Sequence, residues 1–393
     1  MSSTPAPSKP APSKPPRMMS LDVFRGFTML AMASSGLGII AVAKKMPDSI
    51  WASIAPQLQH VEWIGCSAWD LIQPAFMFIV GVAMPFSTAR RATDGQSFGQ
   101  QWRHALVRAA VLVFLGAMLY GQSTRAYVFT NVLAQIGLGY AFVFLLIGRD
   151  WRVQLGAVAA ILAGYWLAFA VYPLPPPDFD HAKVGAKGAE VLPGFWAHWS
   201  KNTNLAADFD RWFLNLLPQA KRFEFNGGGY QTLNFVPEAV NMILGLMAGE
   251  MLRRETNSRR RLGWLAVAGT VCLVLGGVAS LTICPMVKRI WTPSFALWSA
   301  GWTLWLLAAF YLVIDVAGWR RWSFPLLVVG MNSIAIYLMA QLWPGWIRTL
   351  LKAHIGQEFF SGAYGPIWEQ SAVLLVLWMI CWWLYRQRVF LKI

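Results

Sequence analysis

His60, Glu62 and Asp70 stand in the stretch QHVEWIGCSAWD, which runs without a break into the apolar LIQPAFMFIVGVAMPF. A histidine titrates near neutral pH and can take a proton from an attacking amine or hydroxyl, or carry an acyl group itself. A carboxylate inside an apolar segment is costly, so it marks a functional site by default. Read as a helix from about Glu62, the stretch sets Glu62, Cys66, Asp70 and Gln73 on one face, and Pro74 beyond them frees a backbone carbonyl. Such a stripe lines a cavity more readily than it faces lipid. On that reading the helix holds His60 about 15 Å from Asp70. The two are then not expected to bond directly, and Glu62 or the substrate itself is the nearer partner for the imidazole.

Three further places combine polar groups with apolar surroundings. SLDVFRG puts Asp22 and Arg25 on neighbouring turns of one face, where an ion pair competes with substrate contact as the explanation. CPMVKRIWTPS is expected to bring Lys288 and Arg289 to the outer surface beside Trp291, as interfacial anchors or ligand contacts. GMNSIAIYLMAQ places Asn332, Ser333 and Gln341 within a span, suited to knitting helices together or to gripping a polar ligand. There is no G-x-S-x-G, Walker loop, HExxH or suitably placed GxGxxG. What remains is a histidine or carboxylate acting as general base inside a bundle, or no chemistry at all.

The elements that must hold these groups are helices in a bilayer. Of 393 residues 56% are hydrophobic and only 13% charged, too few charges for a soluble chain of this size. At roughly 20 apolar residues per crossing, ten spans are expected, at 21–42, 65–88, 105–122, 130–148, 153–172, 234–252, 262–283, 294–315, 324–342 and 368–386. The fold class is therefore an all-α polytopic transmembrane bundle.

The net charge of +15 resides largely in short loops, where it orients the protein and requires no nucleic acid. Lys9, Lys14 and Arg17, Arg90 and Arg91, Arg149 and Arg152, Arg253 to Arg261, Arg320 and Arg321, and Arg386 to Lys392 all fall on one side. By the positive-inside rule both termini are cytoplasmic. Residues 1–17, rich in Pro, Ser and Lys, read as a disordered tail, and 18–393 as one membrane domain. An insertion at 173–233 lies on the outer side, either a lid over the bundle or a surface excursion. The four cysteines have no CxxC spacing and no histidine placed for a metal site, so neither disulfides nor bound metal are expected.

Four stretches in order, SLDVFRGFTMLAM, HVEWIGCSAWDLIQPAFMFIVG, VKRIWTPSFALWSAGW and VVGMNSIAIYL, resemble the heparan-alpha-glucosaminide N-acetyltransferase family of transmembrane acyltransferases and its bacterial relatives. AVNMILGLMAGEMLRRE fits a further family segment less sharply. The resemblance implies transfer of an acetyl group from cytosolic acetyl-CoA, used as acyl donor, to an amino sugar across the membrane. It places the family's active-site histidine at His60, on the side that loop charge independently makes non-cytoplasmic. It further implies that Asp70 shapes the core of the site, that Arg25 meets a CoA phosphate, and that Lys288 and Asn332 contact ligand or a developing oxyanion. A bacterial member would sit in the inner membrane, and the family suggests a homodimer. In span four, where lysosomal members carry a Gln-Arg pair, this chain reads NVLAQIG and keeps only Asn131 and Gln135. The competing reading is a solute or lipid transporter on the same bundle, although no internal repeat supports it.

Overall fold

A computed structural model describes residues 18–124 and 127–391; the tail expected at 1–17 lies outside the described residues. The α-helices in chain order are α1 (Met19–Ala33), α2 (Ile39–Lys45), α3 (Ile50–Ile54), α4 (Ile72–Thr93), α5 (Phe98–Thr124), α6 (Val132–Phe144), α7 (Trp151–Ala170), α8 (Leu205–Phe213), α9 (Phe235–Arg254), α10 (Ser258–Thr282), α11 (Pro293–Phe310), α12 (Phe324–Met331), α13 (Ser333–Leu342), α14 (Pro344–Ile355) and α15 (Gly365–Arg386). Among the described residues the one β feature is a single bridge between Ile64 and Val287. The protein is an all-α polytopic membrane bundle.

Seven of the described helices are long and apolar enough to cross a membrane, and two bent pairs bring the number to nine. Each of the ten expected segments has a helical counterpart, but 130–148 corresponds only to the short α6, 13 residues long. The segment 21–42 is broken, α1 and the run after it meeting at 44°. Four consecutive residues, Ser35 to Gly38, take left-handed φ at this break; Gly36 and Gly38 do so without the steric cost that Ser35 and Leu37 bear. The segment 324–342 is broken more sharply, by 73° at Asn332.

Backbones approach closely where glycines allow it. A methyl group at Gly81 of α4 would strike the carbonyl oxygen of Met242 on α9, and one at Gly245 would strike that of Phe78 in return. Reciprocal small residues are how membrane helices gain packing contacts when lipid is as apolar as their side chains. One apolar core fills the space between α4, α5, α6, α9, α12, α13 and α15, and a second lies between α1, α4, α9, α10 and α11.

The ends of the bundle differ. At one end the amide of Ser20 donates to Asp315, 3.2 Å away, and Met19, Arg320 and Arg386 line a common cavity, so both described chain ends lie here. At the other end the insertion folds into short 3-10 turns and α8, and packs down on the bundle. The indole of Trp63 donates to the carbonyl of Trp199 at 3.0 Å, and Phe169 stacks on Trp199. Trp63, Tyr165, Phe169, Trp199, Val287 and Ile290 form one apolar cluster beneath it. The insertion is thus joined to the loop that carries His60.

Candidate active site

The helix expected from Glu62 begins later. Residues 60–67 are irregular, a 3-10 turn covers Ala68–Leu71, and α4 proper starts at Ile72. Ser67 caps that turn reciprocally: its hydroxyl accepts from the Asp70 amide at 3.3 Å, while Asp70 Oδ2 accepts from the Ser67 amide at 3.0 Å. This capping box satisfies two backbone donors that the first turn leaves unpaired. The expected polar stripe is therefore absent: Glu62 is exposed on the irregular segment, off any helix face.

The consequence is a correction to the spacing of the two principal residues. His60 Nδ1 lies 2.7 Å from Asp70 Oδ1. A chain that is not helical can fold back on itself, and here an outside strut holds the fold-back. The Gly65 amide donates to the Met286 carbonyl at 2.8 Å, next to the Ile64–Val287 bridge. Asp70 is fully buried, and its carboxylate is met by donors on both oxygens. Oδ1 faces His60 and the Lys288 ammonium, 3.3 Å away; Oδ2 accepts from the amides of Val61 and Ser67 and from the Ser67 hydroxyl. That donor set complements an acceptor-only carboxylate and balances its desolvation.

Lys288 does not reach the surface as an anchor. It is 3% exposed and Trp291 1%, because the 285–292 turn is knotted inward. The Val287 amide donates to the Thr292 hydroxyl, the Thr292 amide returns to the Val287 carbonyl, and the Trp291 indole donates to Asn241. Burial pushes the Lys288 ammonium below its ordinary range, and the nearby Asp70 carboxylate works against this. Lys288 Nζ is also 3.0 Å from His60 Nδ1.

Nδ1 has two neighbours of opposite kind, the Asp70 carboxylate at 2.7 Å, which only accepts, and the Lys288 ammonium at 3.0 Å, which only donates; we assign the proton to Nδ1 on the shorter contact, so that Nδ1 donates to Asp70 and Lys288 donates to the same oxygen. Nε2 is left with its lone pair, and the His60 side chain is 40% exposed against 0% for Asp70. A buried carboxylate orienting a half-open imidazole is the arrangement of an oriented general base. Cys66 is a poor alternative nucleophile: burial first, then the Asp70 carboxylate, push its thiol up to about 12.

Around this core two residues that the sequence did not single out, Tyr230 and Glu238, are each met by one that it did. Arg289 donates to the carbonyls of Gly228 and Val61, tying the insertion to the His60 loop, and its guanidinium lies over the ring of Tyr230. Gln73 donates to the buried Glu238 of α9 at 2.9 Å. Gln135 holds the start of α9 by donating to the Thr232 carbonyl.

Arg25 and Asn332 lie elsewhere. Arg25 is 3.4 Å from Asp22 on α1, toward the end with the chain termini. Asn332 is fully buried at the α12–α13 break, donating to the Val389 carbonyl and accepting from the Leu391 amide, each at 3.1 Å. Lys288 precedes α11, and Asp315, bonded to Ser20, follows it. At 1.5 Å per residue the 18 residues of that helix separate the two ends by roughly 27 Å. His60, Asp70 and Lys288 come together at one end; Arg25 and Asn332 belong to the other half.

Among the described residues no group of His, Cys, Asp and Glu could hold a metal ion. No family model matches the chain. Two curated proteins align with nearly all of it: the heparan-alpha-glucosaminide N-acetyltransferases of Homo sapiens and Mus musculus, each 23% identical over 96% of this chain. The chain spans 60% of the length of either. The chain is a distant relative of the heparan-alpha-glucosaminide N-acetyltransferases.

Proposed function

We propose that the protein is a membrane acetyltransferase that takes acetyl-CoA as donor from the side carrying the chain ends and acylates a sugar or glycan at His60 on the opposite side. The observation that carries this reading is the 2.7 Å contact between the exposed His60 and the buried Asp70. Loop charge makes the chain-end side cytoplasmic, where acyl-CoA is made, and the names of the two relatives support acetyl transfer to an amino sugar.

In the proposed reaction His60 Nε2 takes the proton of the acceptor amine or hydroxyl as its lone pair attacks the thioester carbonyl. The C–S bond breaks as the tetrahedral intermediate collapses, CoA leaves as thiolate, and the proton passes from Nε2 to that sulfur. Asp70 fixes the tautomer and steadies the imidazolium while it exists. Lys288, the buried cation beside both, is placed to offset negative charge developing on the carbonyl oxygen. Arg25, in the donor half, suits a CoA phosphate as a bidentate partner; Asn332 serves the donor half by holding the backbone of residues 389–391 in place. In a bacterial cell the protein would act in the inner membrane, as a single copy or a homodimer.

The test is acyl transfer in proteoliposomes with labelled acetyl-CoA on one side and a panel of amino sugars on the other. Labelled sugar with stoichiometric free CoA is the expected result. A solute that crosses unmodified, with no CoA released, would replace this reading with a transporter.

A further inference from the structure

A cavity of about 690 Å³ opens at the end of the bundle that carries the chain termini, between α1, α12 and α15. It is separate from the His60 cluster by the length of α11. Arg320, Arg386 and Arg388 line it, together with the Asp22 carboxylate, which pairs with Arg25, and Met19, Leu327, Met331, Tyr385 and Phe390 supply apolar wall. Among the described residues none of the three arginines is within ion-pair distance of a carboxylate. Arg320 donates through Nε to the Ile314 carbonyl, and Arg386 lies over the ring of Trp382; both leave guanidinium donors for a ligand.

The orientation of loops requires cations on this side but not their convergence, and here the backbone is bent to bring it about. After α15 the chain turns back, with Arg388 in the left-handed region at φ 57°. The Arg388 and Val389 amides donate to Tyr385 and Leu384, and Asn332 clamps Val389 and Leu391 from the break between α12 and α13. A non-glycine residue at positive φ is uncommon and persists where its surroundings hold it. The clamp keeps the segment 387–391 as a wall of the cavity.

We infer that this cavity binds a phosphate group presented at the membrane surface, most directly the headgroup of an anionic phospholipid. Guanidinium donors match phosphate oxygens in a planar fork, and basic pockets between membrane helices on the cytoplasmic side take anionic headgroups. The apolar wall suits an acyl chain, and α15 carries lipid-exposed Leu375, Met379 and Trp383 on the same helix. A volume in the range of small-molecule sites also admits a soluble phosphate ester. The inference does not depend on acyl transfer at His60.

The experiment uses the full chain in neutral detergent, with lipid and nucleotide binding followed by native mass spectrometry. Phosphatidylglycerol is compared with phosphatidylcholine, and adenosine 3′,5′-bisphosphate serves as the soluble arm. Wild type should prefer phosphatidylglycerol, with affinity falling about fivefold for each of Arg386→Gln and Arg388→Gln. Arg386→Lys with Arg388→Lys should keep most of it, which separates charge from folding. Arg259→Gln removes an exposed cation of the same side outside the cavity and should change nothing. Arginine-dependent binding of the bisphosphate with no lipid preference would identify a soluble phosphate as the source. Equal binding by wild type and the glutamine variants, or an equal loss in Arg259→Gln, would overturn the inference.

Discussion

His60 Nδ1 and Asp70 Oδ1 lie 2.7 Å apart, one on a half-open side chain and the other on a carboxylate with no solvent exposure. Burial gives that contact its direction: Asp70 can serve only from behind, and Nε2 is the atom a substrate meets. Replacing Asp70 by Asn keeps the size and loses the fixed tautomer, since a carboxamide can present either a donor or an acceptor to Nδ1. Asp70→Asn is expected to lower kcat by about 10²–10⁴ with KM for the donor little changed. Steady-state kinetics check this; a loss confined to KM would assign Asp70 to binding instead.

Ser67 holds Asp70 through its amide, and through a hydroxyl whose single proton is shared between Asp70 Oδ2 at 3.0 Å and the Gln59 carbonyl at 2.7 Å. Ser67→Ala keeps the amide contact and loses the hydroxyl, so it should cost roughly 1 kcal/mol of stability and reduce kcat by about tenfold or less. Thermal unfolding and kinetics on the same preparation measure both. An unfolded variant would mean that the cap matters more to the fold than to the carboxylate.

Lys288 and Asp70 are a buried pair at 3.3 Å. Removing one partner of such a pair leaves an uncompensated charge, so Lys288→Met should destabilise by on the order of 3 kcal/mol. The double variant Lys288→Met with Asp70→Asn should recover part of that loss, because the stranded charge is gone. Denaturation of the four proteins gives the coupling, and strict additivity would show that the two groups do not sense each other.

Asp210, in α8 of the insertion, titrates well above the ordinary carboxylate range. Burial pushes it up to about 7, against the hydrogen bond that Oδ2 accepts from the Thr232 amide. Its folded value exceeds that of a free aspartate side chain, 3.8, so the folded state binds the extra proton. The stabilisation is complete below about pH 4, is lost as pH rises toward 7, and changes no further above that. Its size is on the order of 4 kcal/mol at most. Asp210→Asn keeps an acceptor for the Thr232 amide and should flatten the fall in melting temperature between pH 5 and pH 8. A fall unchanged in the variant would place the titration elsewhere.

Much of the architecture is legible in the residues. Apolar runs and sparse charge suffice for an all-α membrane bundle, and each expected segment has a helix. The breaks at Gly36 and Asn332 are less legible, because a polar or glycine position inside an apolar run does not announce the angle it produces. At the site, helical periodicity misleads when carried back to Glu62. The sequence Ser67-Ala-Trp-Asp70 ahead of an apolar run is itself a capping signature. Read that way, it starts the helix after Ser67 and frees His60 to fold back. The pairing of Lys288 with Asp70 follows from no local pattern. Lys288 reaches Asp70 only through the long-range pairing of 285–292 with 61–65 and the inward turn at Trp291.

The most direct test of His60 as the base is single-turnover transfer from labelled acetyl-CoA to an amino sugar by wild type and His60→Ala, both shown to be folded by thermal unfolding and to bind donor equally. The account predicts that His60→Ala loses acetyl transfer by at least about 10²-fold while donor affinity is unchanged. Equal transfer by the two proteins would contradict it.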